Sequence, residues 1–178
     1  MNRYILYVIA GYLSGSVLYA RVMCHLFGGE AALLDCKDSN PGASNAFACG
    51  GFACGALTLT GDLLKGIVPV WLFVRSGEPI TPTALALVLA APVAGHAFPC
   101  FYGFHGGKGI AVSFGCLLGL IPLWEPVLLF AGCFIFFSVV VKITPHFQRT
   151  AVAYLVTLLL MAFTHQLRGV TGGYMLIC

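Results

Sequence analysis

Long unbroken apolar runs alternate with short polar loops along this chain. The runs fall roughly at residues 4–26, 49–74, 82–102, 109–123, 126–143 and 150–167. Within them apolar residues are continuous rather than alternating, which predicts helices apolar on all faces and not strands. A helix of about 20 apolar residues crosses the roughly 30 Å hydrocarbon layer, whereas an open sheet edge finds no partner in lipid. The pattern therefore predicts an all-α, polytopic transmembrane helical bundle. About six spans are expected, within a range of five to seven, in one membrane-embedded domain over residues 1–178. The 109–123 run is short for a span, so it is expected to tilt, to be partly re-entrant, or to merge with its neighbour across Pro122. At the start, Arg3 precedes an apolar stretch that runs on through Gly11, Ser14, Gly15 and Ser16 with more membrane sequence behind it, so it reads as a retained first helix rather than a cleaved signal peptide.

Composition supports the same solvent. Hydrophobic residues make up 60% of the chain and charged residues 8%, against about 25% charged in soluble domains. So few charges cannot coat a soluble protein of this size, and the expected surroundings are the lipid bilayer. A net charge of +3 without a basic run gives no reason to expect a nucleic-acid partner. The eight cysteines form no CxxC pair and several lie inside apolar runs, so they read as small buried or lipid-facing thiols rather than a metal site or a disulfide scaffold. Six spans place Lys37, Lys108, Lys142 and Arg149 on one side, which the positive-inside rule makes cytoplasmic, with the N-terminus outside. Gly11, Gly15, Gly115 and Gly119, at four-residue spacing, are expected to let helices pack closely.

Against this background three polar clusters stand out, all on the predicted cytoplasmic side. The first, from Asp38 through Ser39, Asn40, Pro41, Gly42, Ala43, Ser44 and Asn45, is turn-forming and precedes a helix. Its side-chain donors and free backbone N–H groups suit a phosphate held without a metal; an ordinary loop with Ser44 or Asn45 as helix N-cap is the other reading. The second joins Gly95-His96-Ala97-Phe98-Pro99 to Phe104-His105-Gly106-Gly107-Lys108-Gly109. Gly106, Gly107, Lys108 and Gly109 form an anion nest ahead of an apolar run, without P-loop spacing, although Lys108 could also snorkel to lipid headgroups. His96, near the end of a span, is either a hydrogen-bonded structural residue or a proton-transfer group. The third is Asp62 with Lys65, three residues apart on one helix face, an ion pair that either fixes helix packing or lines a cavity. Ser14, Gly15 and Ser16 form a weaker fourth element, taken alone a packing feature.

Together these motifs resemble the bacterial acyl-phosphate:glycerol-3-phosphate acyltransferases of the PlsY type. Gly15-Ser16, then Asn40-Pro41-Gly42-Ala43-Ser44-Asn45, then Asp62-Leu63-Leu64-Lys65-Gly66, then Gly95-His96-Ala97-Phe98-Pro99 through Gly106-Gly107-Lys108-Gly109-Ile110-Ala111 follow that family's motifs in order and spacing over residues 11–115. The resemblance implies a multi-pass protein of the bacterial cell membrane with its motif loops in the cytoplasm. It implies transfer of a fatty acyl group from acyl phosphate to glycerol 3-phosphate, giving lysophosphatidate, with no metal and no cofactor. His96 is then the catalytic candidate, polarising or deprotonating the attacking hydroxyl. Ser16, Ser39, Asn40, Gly42, Ser44, Asn45, Gly106, Gly107, Lys108 and Gly109 are the phosphate-binding candidates, supported by Asp62 and Lys65. The chain departs from the family pattern at Leu18, Asp38, Ala48, His105 and Val112, and lacks the family's basic, Asn-containing tail. A divergent or C-terminally shortened paralogue, acting as a membrane binding or scaffold protein, is the alternative. Oligomeric state is left open.

Overall fold

The computed structural model describes residues 3–28, 40–144 and 146–168, with side chains at all of these except 146, 147 and 165–168. The helices are α1 (Tyr4–Gly15), α2 (Tyr19–Leu26), α3 (Ala43–Arg75), α4 (Pro82–Ala97), α5 (Ile110–Leu118), α6 (Glu125–Ile135) and α7 (His146–Arg168). A 3-10 turn at Cys100–Tyr102 follows α4, and a π-helical turn at Phe136–Val140 extends α6. No strand occurs among the described residues.

Three stretches are long and apolar enough to cross a bilayer: Tyr4–Leu26, Ala43–Arg75 and Pro82–Tyr102. Glu125–Val140 and Gln148–Thr164 are shorter apolar helices. The nine-residue α5 is about 14 Å long, half the hydrocarbon thickness. The short 109–123 run thus holds a half-depth helix, packed on α3 and α4.

Two boundaries differ from the hydropathy reading. The first run is not one helix, because Ser16, Val17 and Leu18 interrupt it between α1 and α2. The second helix starts at Ala43 rather than 49, with Gly42 as its N-cap instead of Ser44 or Asn45, and it kinks at Gly51, whose φ of 80° and ψ of −178° are non-helical. Hydropathy misses this start because Asn45 and Ser44 are polar helical residues ahead of the apolar stretch.

Burial is inverted relative to a soluble protein. Leu6, Ile9, Leu57, Leu64, Val68 and Leu128 are exposed, while Ser16, Thr58, Asp62, Lys65, His96, Ser113 and Thr157 are buried. A surface of this kind is satisfied by lipid chains, and buried polar groups then need partners inside the bundle. A core of Val70, Phe73, Val88, Leu89, Val112, Leu120 and Phe130 joins α3, α4, α5 and α6.

Glycines bring the backbones together, as their spacing predicted. A Cβ on Gly15 of α1 would collide with the Pro92 backbone carbonyl of α4, and one on Gly95 of α4 would collide with the Tyr12 carbonyl of α1. On the other side, Gly66 of α3 meets the Val112 backbone, and Gly115 of α5 and its C-cap Gly119 meet the Leu63 and Ile67 carbonyls of α3. Gly15→Leu is accordingly expected to cost about 1–3 kcal/mol or more by overpacking, read as a lowered unfolding midpoint in detergent. Gly132→Leu, at a position with nothing within 4 Å of the added carbon, is the control expected to leave the midpoint in place. Equal midpoints for the two would reject the close-packing account.

The cysteines meet expectation at five positions, where Cys24, Cys54, Cys100, Cys116 and Cys133 are free thiols. Cys49 departs from it, being disulfide-bonded. Spacing along a chain does not register pairs made in space.

Candidate functional site

The interruption between α1 and α2 prepares the site. A helix that stops leaves its last carbonyls without intrahelical partners, and the carbonyl of Val17 is used from another helix: Lys65 Nζ on α3 donates to it at 2.7 Å. The same ammonium lies 2.8 Å from Asp62 Oδ1, one helical turn earlier, and 2.8 Å from His96 Nδ1 on α4. The Asp62 contact is an ion pair rather than an aligned hydrogen bond, since Oδ1 has no partner with hydrogen-bond angles. Lys65 and Asp62 are 3% and 2% exposed, so neither charge is screened by water. Around them, the Ser16 hydroxyl donates to the Tyr12 carbonyl at 2.9 Å and accepts from the Cys100 N–H, and the Tyr12 hydroxyl donates to the Phe98 carbonyl at 2.7 Å. These bonds tie the break in α1–α2 to the end of α4, where His96 sits.

An ammonium has donors only, so His96 Nδ1 accepts from Lys65 and the ring proton of neutral His96 sits on Nε2. Nε2 faces Gly107: a Cβ added there would collide with His96 Nε2 and come within 3.2 Å of Asn40 Oδ1. Gly107 is held in this position by its own N–H donating to the His96 carbonyl at 3.0 Å. That bond uses one of the backbone donors expected to be open to an anion. Gly106 packs against the same stretch, where a Cβ would strike the His96 and Ala97 carbonyls. Gly103 and Gly109 have φ of 60° and 72°, and Phe104 has 62°, so the loop turns through the left-handed region three times.

The Asn40 loop closes the other side. The Asn40 carbonyl accepts from Gly42 N–H at 2.8 Å and from Asn45 Nδ2 at 2.9 Å. Gly42 lies against the Asn40 amide, where a Cβ would come within 2.9 Å of Nδ2. Asn45 is therefore spent on shaping the loop. Ser44 is exposed on the first turn of α3 and Lys108 is exposed on the glycine loop. Ser39 lies outside the described residues.

The structure thus joins motifs that are remote in sequence: Asn40, Asp62, Lys65, His96 and Gly107 form one connected cluster, and Ser16 braces it. Sequence reasoning placed Asp62 and Lys65 as support but missed that Lys65 touches His96 directly. It also missed Tyr12 and the Val17 carbonyl, for which the only cue was the Gly15-Ser16 pair. Beside the cluster, the Arg21 guanidinium stacks 5.2 Å from the centre of the Tyr102 ring. Three of the departures from the family pattern are peripheral or apolar in role. Ala48 is exposed, His105 is exposed with Nδ1 bonded to the Gly103 carbonyl, and Val112 is fully buried in the core.

Comparison with known proteins agrees with this arrangement. The family model described as glycerol-3-phosphate acyltransferase matches residues 5–178. A glycerol-3-phosphate acyltransferase of Cupriavidus taiwanensis is 42% identical over 124 residues, covering 67% of this chain and 59% of that relative. One from Hydrogenovibrio crunogenus is 41% identical over 138 residues, covering 76% of this chain and 63% of the relative. The chain thus aligns with about three fifths of the length of these curated relatives. Among solved structures, PlsY (YgiH), an integral membrane glycerol 3-phosphate acyltransferase, superposes in its glycerol 3-phosphate form with a TM-score of 0.76 at 27% identity, covering 98% of this chain and 82% of that one. Its lysophosphatidic acid form gives 0.75 at 26% identity, with the same coverage. With a family match running nearly end to end and an integral membrane fold shared along almost the whole chain, this protein belongs to the glycerol-3-phosphate acyltransferase family.

Proposed function

We propose that the protein transfers a fatty acyl group from acyl phosphate to the 1-hydroxyl of glycerol 3-phosphate, releasing inorganic phosphate and lysophosphatidate. The observation that carries this reading is the convergence of His96 Nε2, Asn40 Oδ1 and the bare backbone of Gly107 at one place. It sets a ring N–H and a side-chain amide against a backbone with no room for a side chain, beside a loop carrying Lys108. Both substrates bear phosphate, and donors in a preorganised, partly dry site stabilise charge that develops during reaction.

In this reading the hydroxyl oxygen attacks the acyl carbonyl carbon, the carbonyl carbon–phosphate oxygen bond breaks, and phosphate leaves. No covalent enzyme intermediate is required, because the acyl phosphate is already activated. The His96 ring donates from Nε2 and so favours the polarising role over that of a base; the hydroxyl proton passes to a substrate phosphate oxygen. The acceptor arrives from the cytoplasm at the motif loops and the acyl chain lies in the bilayer of the bacterial cell membrane. The clustering of Lys108, Lys142 and Arg149 on that side supports the orientation, with the N-terminus outside.

Membranes containing the protein are expected to form lysophosphatidate from acyl phosphate and glycerol 3-phosphate, and not from acyl-CoA. Folded protein giving no product above control at saturating substrates would reject the activity and favour a non-catalytic paralogue. Lys108→Ala is expected to raise KM for one phosphate substrate about tenfold, the weight of one charge-assisted hydrogen bond. An unchanged KM removes Lys108 from the site.

A further inference from the structure

Helices α1 and α3 flank a groove of about 610 Å³ that opens at the end of the bundle away from the motif loops. Its size lies within the roughly 300–1,000 Å³ of ligand pockets. Along α1 the groove runs from Arg3 to Ser14, about 16 Å at the helical rise. That is half of the roughly 30 Å hydrocarbon layer, the depth of one leaflet. Its mouth lies where α1 begins and α3 ends. There the Arg75 guanidinium stacks on the Trp71 ring at 4.6 Å, an aromatic and a cation of the kind that mark headgroup level. In the mouth itself Arg3 Nη1 lies 3.5 Å from Glu78 Oε1.

Below the mouth the walls are mainly apolar, with Leu6, Tyr7, Ala10, Val68 and Leu72 lining them. The two serines beside these residues are engaged within the protein. Pro69 has no N–H for the Lys65 carbonyl four residues back, and the Ser14 hydroxyl donates to that carbonyl at 3.3 Å. Ser76 donates to the Phe73 carbonyl at 2.7 Å and accepts from the Glu78 N–H at 3.2 Å. A polar chain laid here would leave its own groups unsatisfied, and a hydrocarbon chain loses nothing. The mouth is the reverse, one cation beside one anion, with the arginine mostly in water. An exposed pair of this kind holds weakly, so a ligand carrying both charges takes each partner at little loss.

We propose that this groove binds one phospholipid of the leaflet opposite the motif loops, with a chain laid between α1 and α3 and a headgroup that carries a primary ammonium. Arg3 takes the phosphate and Glu78 takes the ammonium, so two charge-assisted hydrogen bonds replace one exposed ion pair. The two charges select the headgroup. An anionic lipid satisfies Arg3 and brings no cation to Glu78. A trimethylated ammonium brings the charge and no N–H to donate. Depth, lining and charge thus agree on one occupant, a phospholipid of the ethanolamine type.

The readout is binding, independent of turnover. The full chain in detergent is titrated with phosphatidylethanolamine, phosphatidylcholine and phosphatidylglycerol of identical chains, and bound lipid is counted by native mass spectrometry. One saturable site is expected, filled by the ethanolamine lipid at a concentration about tenfold lower than by the glycerol lipid, the weight of one charge-assisted hydrogen bond. Glu78→Gln, a change outside the helices at a residue away from His96, is expected to bring that ratio close to one. Ala10→Trp, at an exposed position on the groove wall, is expected to weaken all three lipids at least about tenfold by filling the space, with the unfolding midpoint of the lipid-free protein unchanged. Equal binding of the ethanolamine and glycerol lipids by the parent overturns the proposal, as does a preference that survives Glu78→Gln. A lipid-free dimer that Ala10→Trp dissociates would assign the groove to a second copy of the chain and overturn it as well.

Discussion

Lys65→Met is expected to lower lysophosphatidate formation about 1,000-fold, in the range found when an oriented donor is lost from a preorganised site. Methionine keeps much of the lysine's length and removes its charge and donors. Three groups then lose a partner at once: the Asp62 carboxylate, the Val17 carbonyl and His96 Nδ1. Stranding Asp62 at 2% exposure is expected to destabilise the fold by about 3–5 kcal/mol, as when one member of a buried pair is removed. That cost alone could account for lost activity, so the informative protein is the double variant Asp62→Asn, Lys65→Met. It carries no unpaired charge, and its unfolding midpoint in detergent is expected to return toward that of the parent. Its activity is not, because the ammonium that donates to Nδ1 at 2.8 Å is gone and no longer holds the ring proton on Nε2. A double variant within tenfold of the parent rate would make Lys65 a folding residue only.

The second large effect is expected at Gly107→Ala. One methyl group is normally a small change, and here it falls against His96 Nε2 and within 3.2 Å of Asn40 Oδ1. His96 cannot turn away without breaking its bond to Lys65, and Asn40 is tied through its carbonyl to Gly42 and Asn45. The methyl therefore has to push the His96 ring or the Asn40 amide out of place. A fall in kcat/KM of at least about 100-fold is expected, the scale of a small misplacement at a reacting centre. The unfolding midpoint should move little, since α3, α4 and α5 pack elsewhere. Kinetics within threefold of the parent would show that the reaction does not depend on how His96 and Asn40 are packed against Gly107.

Much of this was legible in order along the chain. Run lengths announce the helices because lipid leaves a spanning backbone few alternatives. The four-residue glycine spacing announces close packing because i and i+4 share a face. The motif loops mark where polar groups survive in an apolar chain. What stayed hidden depends on partners far apart in sequence. The interruption at Ser16–Leu18 lies inside an unbroken apolar run, and its freed Val17 carbonyl has meaning only beside Lys65, which arrives 48 residues later. Asp62 and Lys65 read as a local pair because they are one turn apart, while the third contact, to His96, spans 31 residues. Ala48 read as a missing phosphate ligand, yet its side chain is exposed on the second turn of α3 rather than pointing among Asn40, Gly107 and His96.

The spacing of Asp62 and Lys65 also bears on how the chain reaches the bilayer. Either residue alone near the centre of a helix opposes insertion by about 2.5–3.5 kcal/mol. One turn apart and 2.8 Å from each other in the bundle, they are able to pair within the segment itself, without another helix. The helix can therefore enter the membrane as a neutral unit. Only afterwards, when the first and third spans dock, are the Val17 carbonyl and His96 within reach of the ammonium. Assembly of the cluster thus waits on the docking of these spans, and a helix inserted on its own carries no competent site.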